Sequence, residues 1–322
     1  MQQSFSDIEY AGKKRQTRKE RFLHEMESLI PWKSWVSLIR PYYPTAGNGR
    51  PPIGLEKMLL MYLVQVWFNL SDEMTEDSIY DVQSIRRFVG INLSEEDAPD
   101  ATTLLRFRHL LEENELTERI FNQLARRLQE NGYIVKEGTI VDATIIEAPT
   151  SKKNARRERD PEMSSTKKHG TAYFGMKMHI GADSVNGLMH SVETTTAKEH
   201  DITKAEELLH GDEEAVYGDA GYTGLDHREE MEDWTELTYE INLKRSMVDR
   251  LPEGYYKEEV KEQEREKSRI RAKVELPFHI IKNLFGFRKV RYRGLAKNRA
   301  KIMMLAALAN IMLCKMKGLS TA

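Results

Sequence analysis

The 322-residue chain is long for one domain and comfortable for two, and its 40% hydrophobic and 31% charged residues allow a sizeable core under a solvated surface. A formal net charge of −2 excludes a global field drawing the protein toward an anionic polymer. The single cysteine, Cys314, excludes a disulfide framework and thiolate zinc sites, and fits a reducing compartment.

Charge is uneven along the chain. Residues 265–301 carry thirteen Lys and Arg against Glu266 and Glu275 alone, while 205–240 is crowded with Asp and Glu. Such local concentrations govern phosphate binding more than the average does. The opening "MQQSFSDIEY" lacks the basic-then-apolar layout of a leader. The longest apolar run, "IMMLAALANIMLC" (302–314), is too short to span a bilayer and contains Asn310, so a buried helix and no membrane association are expected.

Residues 1–132 read as helical. "RKERFLHEMESLI" and "GLEKMLLMYLVQVWFNL" place apolar residues three and four apart, and Pro51-Pro52 stands ahead of the second, where prolines are tolerated. "DAPDATTLLRFRHLLEENELTERIFNQLARRLQENG" reads as two helices, with Asp100 or Thr102 as a cap, Asn114 at the break and Asn131-Gly132 at the end. No internal repeat is present.

From residue 133 the pattern changes. "GTIVDATII" is rich in β-branched residues, and the polar, basic stretch 151–170 after it is expected to be mobile. "AYFGMKMHIGAD" alternates, with Met176, Met178 and Ile180 on one face and Gly175, Lys177 and His179 on the other. "DSVNG" turns it back into "LMHSVETTTA" as a hairpin, with Asp183 serving the turn. A short helix in "ITKAEELLHG", capped by Asp201, precedes the strand "AVYGDAG". A helix over 225–233, the strand "LTYEINLK" and a long helix from about Lys257 to Phe285 complete the order. A hairpin-fed sheet followed by βαβα units is the order of an RNase H-like fold, here a mixed five-stranded sheet flanked by helices. The expected domains are a helical region over 1–132 and a sheet-containing domain over 133–322.

Three acids stand out. Asp142 lies inside an apolar strand, where a charge needs water, a partner or a cation. Asp219 ends the strand "AVYGDAG" among the small residues Gly218, Ala220 and Gly221. Glu275 shares a helical arc with Arg271, His279 and Lys282, beside the core arc of Ile270, Val274, Phe278, Ile281 and Phe285. Each has a plain alternative: a wet strand face, a turn residue, and an ordinary Arg271–Glu275 helix pair. In a sheet of this order the strands bearing Asp142 and Asp219 are neighbours. Close carboxylates repel, and a divalent cation relieves them. Asp–Asp–Glu supplies hard oxygen ligands suited to two Mg²⁺ ions, with Mn²⁺ as a substitute, and the small neighbours of Asp219 then leave room for a nucleic-acid backbone.

The chain resembles the bacterial insertion-sequence transposases of the DDE type, specifically the insertion-sequence-five family. The resemblance rests on nine stretches in order: "KRQTRKERFLHEMESLIPW", "YYPTAGNGRPP", "PDATTLLRFRHLLE", "GTIVDATIIEAP", "RDPEMSSTKKHG", "FGMKMHIGAD", "TTTAKEHD", "DAGYTG" and "RIRAKVELPFHIIKNLFGFRKVRYRGLAKN". It implies a helical N-terminal DNA-binding region, an RNase H-like catalytic domain, and Asp142, Asp219 and Glu275 as the metal-binding triad. The wider group carries Tyr, Arg, Glu and Lys at set spacings on the last helix. Arg271, Glu275 and Lys282 match, and Ser268 stands where the tyrosine would be.

In that light several basic residues become candidate DNA contacts. "GKKRQTRKER", with Lys13, Lys14, Arg15 and Arg18, reads as a phosphate-contacting arm rather than a solvated charge run. Arg106 and Arg108 lie on paired helices that fit either a helix-turn-helix or an ordinary bundle. Lys177 and His179 face either phosphate or solvent. Arg288, Lys289, Arg291 and Arg293 alternate with Phe287 and Tyr292, a composition that tracks a strand by charge and stacking. No glycine-rich phosphate loop, histidine-pair zinc motif or nucleophile-elbow serine is present, so no nucleotide cofactor is expected.

The expected protein is a cytoplasmic, nucleoid-associated transposase, dimeric when it pairs two double-stranded DNA ends. It would cleave element ends and transfer their 3′-OH strands to target DNA, with Arg271 and Lys282 positioning phosphate. The rival reading is an inactive, transposase-derived DNA-binding protein.

Overall fold

The computed structural model describes residues 10, 12–47, 51–153, 157–168 and 170–320. The leader reading of residues 1–9 lies outside the described residues, as do residues 48–50 and 169 of the motif stretches and 154–156 of the polar stretch. The chain divides into two compact units, Met1–Ile120 with Gly318–Ala322, and Phe121–Lys317. The divide falls within the helix Leu116–Glu130, ahead of the change in sequence pattern at 133.

The first unit is helical. The helix Leu55–Trp67 is apolar almost all round and is buried along most of its length, as a central bundle helix must be. Phe22 and Phe88 both meet Trp67 edge to face, with centroids 5.4 and 5.7 Å away. Side chains close the N-termini of the surrounding helices. Thr17 and Glu20 form a reciprocal capping box on Arg18–Leu29, Ser71 accepts from the Met74 N–H, and Asp100 accepts from the Thr103 N–H at 2.6 Å.

The second unit is a mixed sheet with flanking helices. Its strands are β1 (Gly138–Glu147), β2 (Ser164–Lys168), β3 (Thr171–Asp183), β4 (Met189–Thr196), β5 (Ala215–Gly218) and β6 (Thr238–Ile241). The order is β2-β3-β1-β5-β6, with β4 also paired to β3. β1 runs antiparallel to β3 and parallel to β5, and β5 runs parallel to β6. All five expected strands are present. β2 is a sixth, formed from part of the polar stretch expected to be mobile, and it pairs with the first half of β3. The helix Leu295–Met316 is buried over 301–311, and the Asn310 side chain bonds both backbone groups of Met189 on β4, at 2.9 and 2.7 Å. That satisfies a polar residue inside the apolar run.

Helix extents differ from expectation. The stretches 201–208 and 225–231 form short 3-10 turns. The last long helix is regular only over Tyr255–Arg271. It tightens to a 3-10 turn at Ala272–Val274, resumes at Glu275–His279 and widens to a π turn at Ile280–Leu284. Pro277 accounts for the first irregularity, because it offers no N–H to the Lys273 carbonyl and its ring crowds that oxygen. Asp201 is not a cap: its turn begins at His200 with no side-chain cap, and its carboxylate pairs with Lys177 at 2.8 Å.

Candidate active site

Asp142 sits midway along β1 and Asp219 follows the last residue of β5. The parallel register aligns Ile140 with Tyr217, so each acid lies two residues further along its own strand, on chains about 4.8 Å apart. The β6 end adds the next element: the Asn242 N–H bonds the Gly218 carbonyl at 3.0 Å, carrying the pairing one step past Ile241.

The turn after β5 shapes Asp219. Its carboxylate accepts from the Gly221 N–H at 2.8 Å, opening the turn Ala220–Tyr222. A Cβ on Gly221 would lie 2.8 Å from that same carboxylate oxygen, and one on Gly218 would meet Ile241 and Tyr222 at 3.0–3.1 Å. The small residues around this acid therefore serve close packing and carboxylate placement together.

The electrostatics join the three acids. Burial, and then the charges of Asp219 and Glu275, push the Asp142 carboxyl up to about 6, against the Ala143 N–H bond and the Arg271 charge. Arg271 donates to the Asn242 side-chain oxygen at 3.1 Å, while its Nε is buried with no hydrogen-bond partner among the described residues. Asn242 also donates to a Glu264 carboxylate oxygen at 2.9 Å. Ser268, at the position of the family tyrosine, meets the Asn242 amide at 3.3 Å. The Tyr222 hydroxyl is buried without a partner among the described residues. Burial, then the charges of Asp142, Asp201 and Asp219, raise it well above the usual phenol range. Lys282 reaches back to β1 and donates to the Thr144 hydroxyl at 2.6 Å; burial, then Lys168 and Arg288, lower its ammonium.

Three carboxylates with no sulfur or imidazole donor form a hard-oxygen set, which fits a divalent cation such as Mg²⁺. They share one electrostatic neighbourhood without closing on a single point. Among the described residues, the trio of ligand atoms that approach within 4.8 Å of one another is a different one: His190, His210 and Glu213.

The basic candidates separate by burial. Lys14, Arg15, Arg18, Arg106, Arg288, Lys289, Arg291 and Arg293 are exposed, while Lys13 is half-buried in an ion pair with Glu20. The segment 288–290 bridges the end of β1, with Glu147 N–H to Arg288 O at 3.1 Å and Val290 N–H to Glu147 O at 2.8 Å. Phe287, just before it, is fully buried, which removes it as a stacking platform.

Three basic candidates fail as surface contacts. His179 is fully buried and bonds the Thr195 hydroxyl at 2.8 Å. Lys177 is spent on Asp201 and, at 2.6 Å, on the Glu199 carbonyl. The reason is that the second face of β3 is not wet: the 201–208 turns cover it, so that a Cβ on Gly181 would lie 2.3 Å from the Leu208 carbonyl oxygen. Arg108 is buried in the helical unit, donating to both Asp72 oxygens and pairing with Glu112 at 3.4 Å.

The sequence reading missed Asn242, Tyr222, Thr144 and the trio of His190, His210 and Glu213. Tyr222 lies in a quoted motif. Asn242 carries no local signal, because its role comes from the β6–β5 register.

A mixed sheet of this order, flanked by helices, belongs to the RNase H-like class of folds. Within that class the chain belongs to the family of the Transposase DDE domain, whose model matches residues 134–311. The model of a Transposase domain (DUF772) matches residues 11–110. The protein is accordingly a DNA transposase, with DNA as its partner and a chemistry that uses divalent metal ions. No solved structure matches it, and no helix among the described residues is long and apolar enough to cross a membrane.

Proposed function

We propose that this transposase is of the insertion-sequence-five type, cleaving its element's ends and transferring the freed 3′-OH strands to target DNA. The observation that carries this reading is the pairing of β1 with β5, which brings Asp142 and Asp219 onto adjacent strands with Glu275 acting on the same carboxyl. Asp142, Asp219 and Glu275 would hold two Mg²⁺ ions, Mn²⁺ substituting. When bound, the ions supply activation of the attacking oxygen and stabilisation of the departing one.

The chain's own groups do the rest. Gly221 N–H fixes the Asp219 carboxylate, and Ala143 N–H fixes that of Asp142. Arg271, braced by Asn242, presents a fork to phosphate, and Lys282, braced by Thr144, presents a point charge. The exposed Arg288, Lys289, Arg291 and Arg293 extend a phosphate-binding path from the end of β1. Lys14, Arg15, Arg18 and Arg106 give the helical unit its own DNA contacts. Joining two ends concertedly calls for a dimer on DNA.

The test is an assay of the purified chain with labelled end DNA, a supercoiled target and Mg²⁺. Metal-dependent nicking and joined products are expected, both falling by about 10²- to 10³-fold in Asp219→Asn while end binding persists. Cleavage undiminished in that variant would refute the site, and nicking without joining would leave a nuclease.

A further inference from the structure

A second concentration of chemistry lies before the start of β5, at the opposite end of that strand from Asp219. His190 on β4, with His210 and Glu213 in the loop entering β5, bring one ligand atom each within 4.8 Å of one another. Glu213 is buried and firmly held. One oxygen accepts from the Thr139 hydroxyl at 2.9 Å and the His210 N–H at 2.7 Å; the other accepts from the Gly211 N–H at 2.9 Å. The imidazoles meet edge to face with centroids 4.9 Å apart. His190 Nε2 lies 3.0 Å from the Thr139 hydroxyl and its Nδ1 2.9 Å from the Ser191 hydroxyl.

His210 Nε2 is the exception. It is buried, 3.4 Å from the nearer Glu213 oxygen, and has no hydrogen-bond partner among the described residues. An unsatisfied buried nitrogen aimed at a carboxylate and a second imidazole is a defect in a purely structural cluster and an asset in a ligand set.

We propose that His190, His210 and Glu213 bind a single Zn²⁺-type ion, with the fourth position opening on the adjoining cavity of about 190 Å³ lined by Asn122, Arg126 and Gln129. Two borderline imidazole nitrogens joined by one hard carboxylate oxygen form a mixed set that suits zinc, unlike the all-carboxylate set of the active site. His190 would ligate through Nε2 as its Nδ1–H tautomer, donating to the Ser191 hydroxyl while Thr139 keeps its bond to Glu213. Ligation through His210 Nε2 moves the ring proton to Nδ1, where it displaces the Asp212 N–H. That bond, at 3.2 Å, is the longest in the cluster, and Asp212 is exposed enough to give its N–H to water. The ion would tie β4 and, through Thr139, β1 to the loop that launches β5. It would brace the strand pairing that carries Asp142 and Asp219 without entering the chemistry.

The test is metal binding by the full chain after chelator treatment. Titration with Zn²⁺, and with Co²⁺ as its coloured substitute, is followed by X-ray absorption at the zinc edge. One tight equivalent is expected, with two imidazoles and oxygen around the zinc and the intense visible bands of four-coordinate Co²⁺. Affinity should drop by more than about tenfold in His210→Ala and be retained in Asp219→Asn. Zinc affinity unchanged in His210→Ala, or an all-oxygen shell, overturns the proposal. Should His210→Ala fail to fold, the wild-type absorption spectrum decides alone: two imidazoles support the site and none refutes it.

Discussion

Lys282 donates to the Thr144 hydroxyl at 2.6 Å, and Thr144 lies two residues from Asp142 on the same face of β1. A cation from the π turn of the last long helix is thereby held along the strand that carries the first acid. The anchor is specific, since a free lysine in a half-buried position would turn its ammonium to water. Replacing Lys282 with Met keeps the stem and removes the charge. Strand cleavage should fall about ten- to a hundredfold, with thermal stability little changed. Cleavage at the wild-type rate would remove Lys282 from the chemistry.

Asp142 sets a pH dependence for the metal-free protein. Its carboxyl is raised to about 6 in the folded chain, against an ordinary value of 3.8. The folded state therefore holds this proton more tightly than the unfolded one. The group is without effect below about 4, subtracts stability progressively between about 4 and 6, and above about 6 has its full effect, on the order of 3 kcal/mol. Melting temperature should rise as pH is lowered from about 6.5 to 4 more steeply in the wild type than in Asp142→Asn, with the two slopes alike between about 8 and 6.5. Mg²⁺ should stabilise the wild type more at pH 8 than at pH 5, because protons compete for the carboxylate. An Mg²⁺ shift independent of pH would contradict the coupling.

Gly221 is tied to Asp219 by contact as well as by hydrogen bond. A methyl group there would stand 2.8 Å from the Asp219 oxygen that Gly221 N–H holds. Gly221→Ala should displace the carboxylate while destabilising the exposed turn by only about 1 kcal/mol. The expected signature is a raised Mg²⁺ requirement for cleavage, read from activity against metal concentration with melting checked in parallel. An unaltered Mg²⁺ curve would show that the carboxylate has room to move.

Arg106 and Arg108, two residues apart, should behave as opposites. Arg108 is buried against the half-buried Asp72 and Glu112, so Arg108→Met strands two half-buried acids and should lower stability by about 3 kcal/mol in urea denaturation. Arg106 is exposed. Arg106→Ala should leave stability unchanged and lower the salt dependence of end binding by about one unit of slope. The reverse pattern would mean that the helical unit meets DNA through its other face.

Much of this was legible in local pattern. β-branched runs marked the strands, Asp100 and the Asn131-Gly132 pair marked helix ends, and Asp142 and Asp219 stood out because a carboxylate beside apolar strand residues needs a reason. Alternation, however, reports only that a strand has two faces. It does not say whether both are covered. His179 and Lys177 lie on a face that the 201–208 turns close, and Ser164–Lys168 becomes a strand only because β3 offers it an edge.

By itself, then, the chain's order of apolar runs and acids determined five of the six strands and the helical first unit, and singled out three acids as candidates. Periodicity and desolvation act on neighbours along the polymer, so they can be read from it directly. Tertiary structure alone decided that Lys282 is held at Thr144 on the strand of Asp142, since the two residues are 138 positions apart. It also decided that Asn242 braces Arg271, and that two histidines and a glutamate from different segments converge behind β5. Such meetings depend on strand register and on the irregular helix around Pro277, which no stretch of sequence carries within itself.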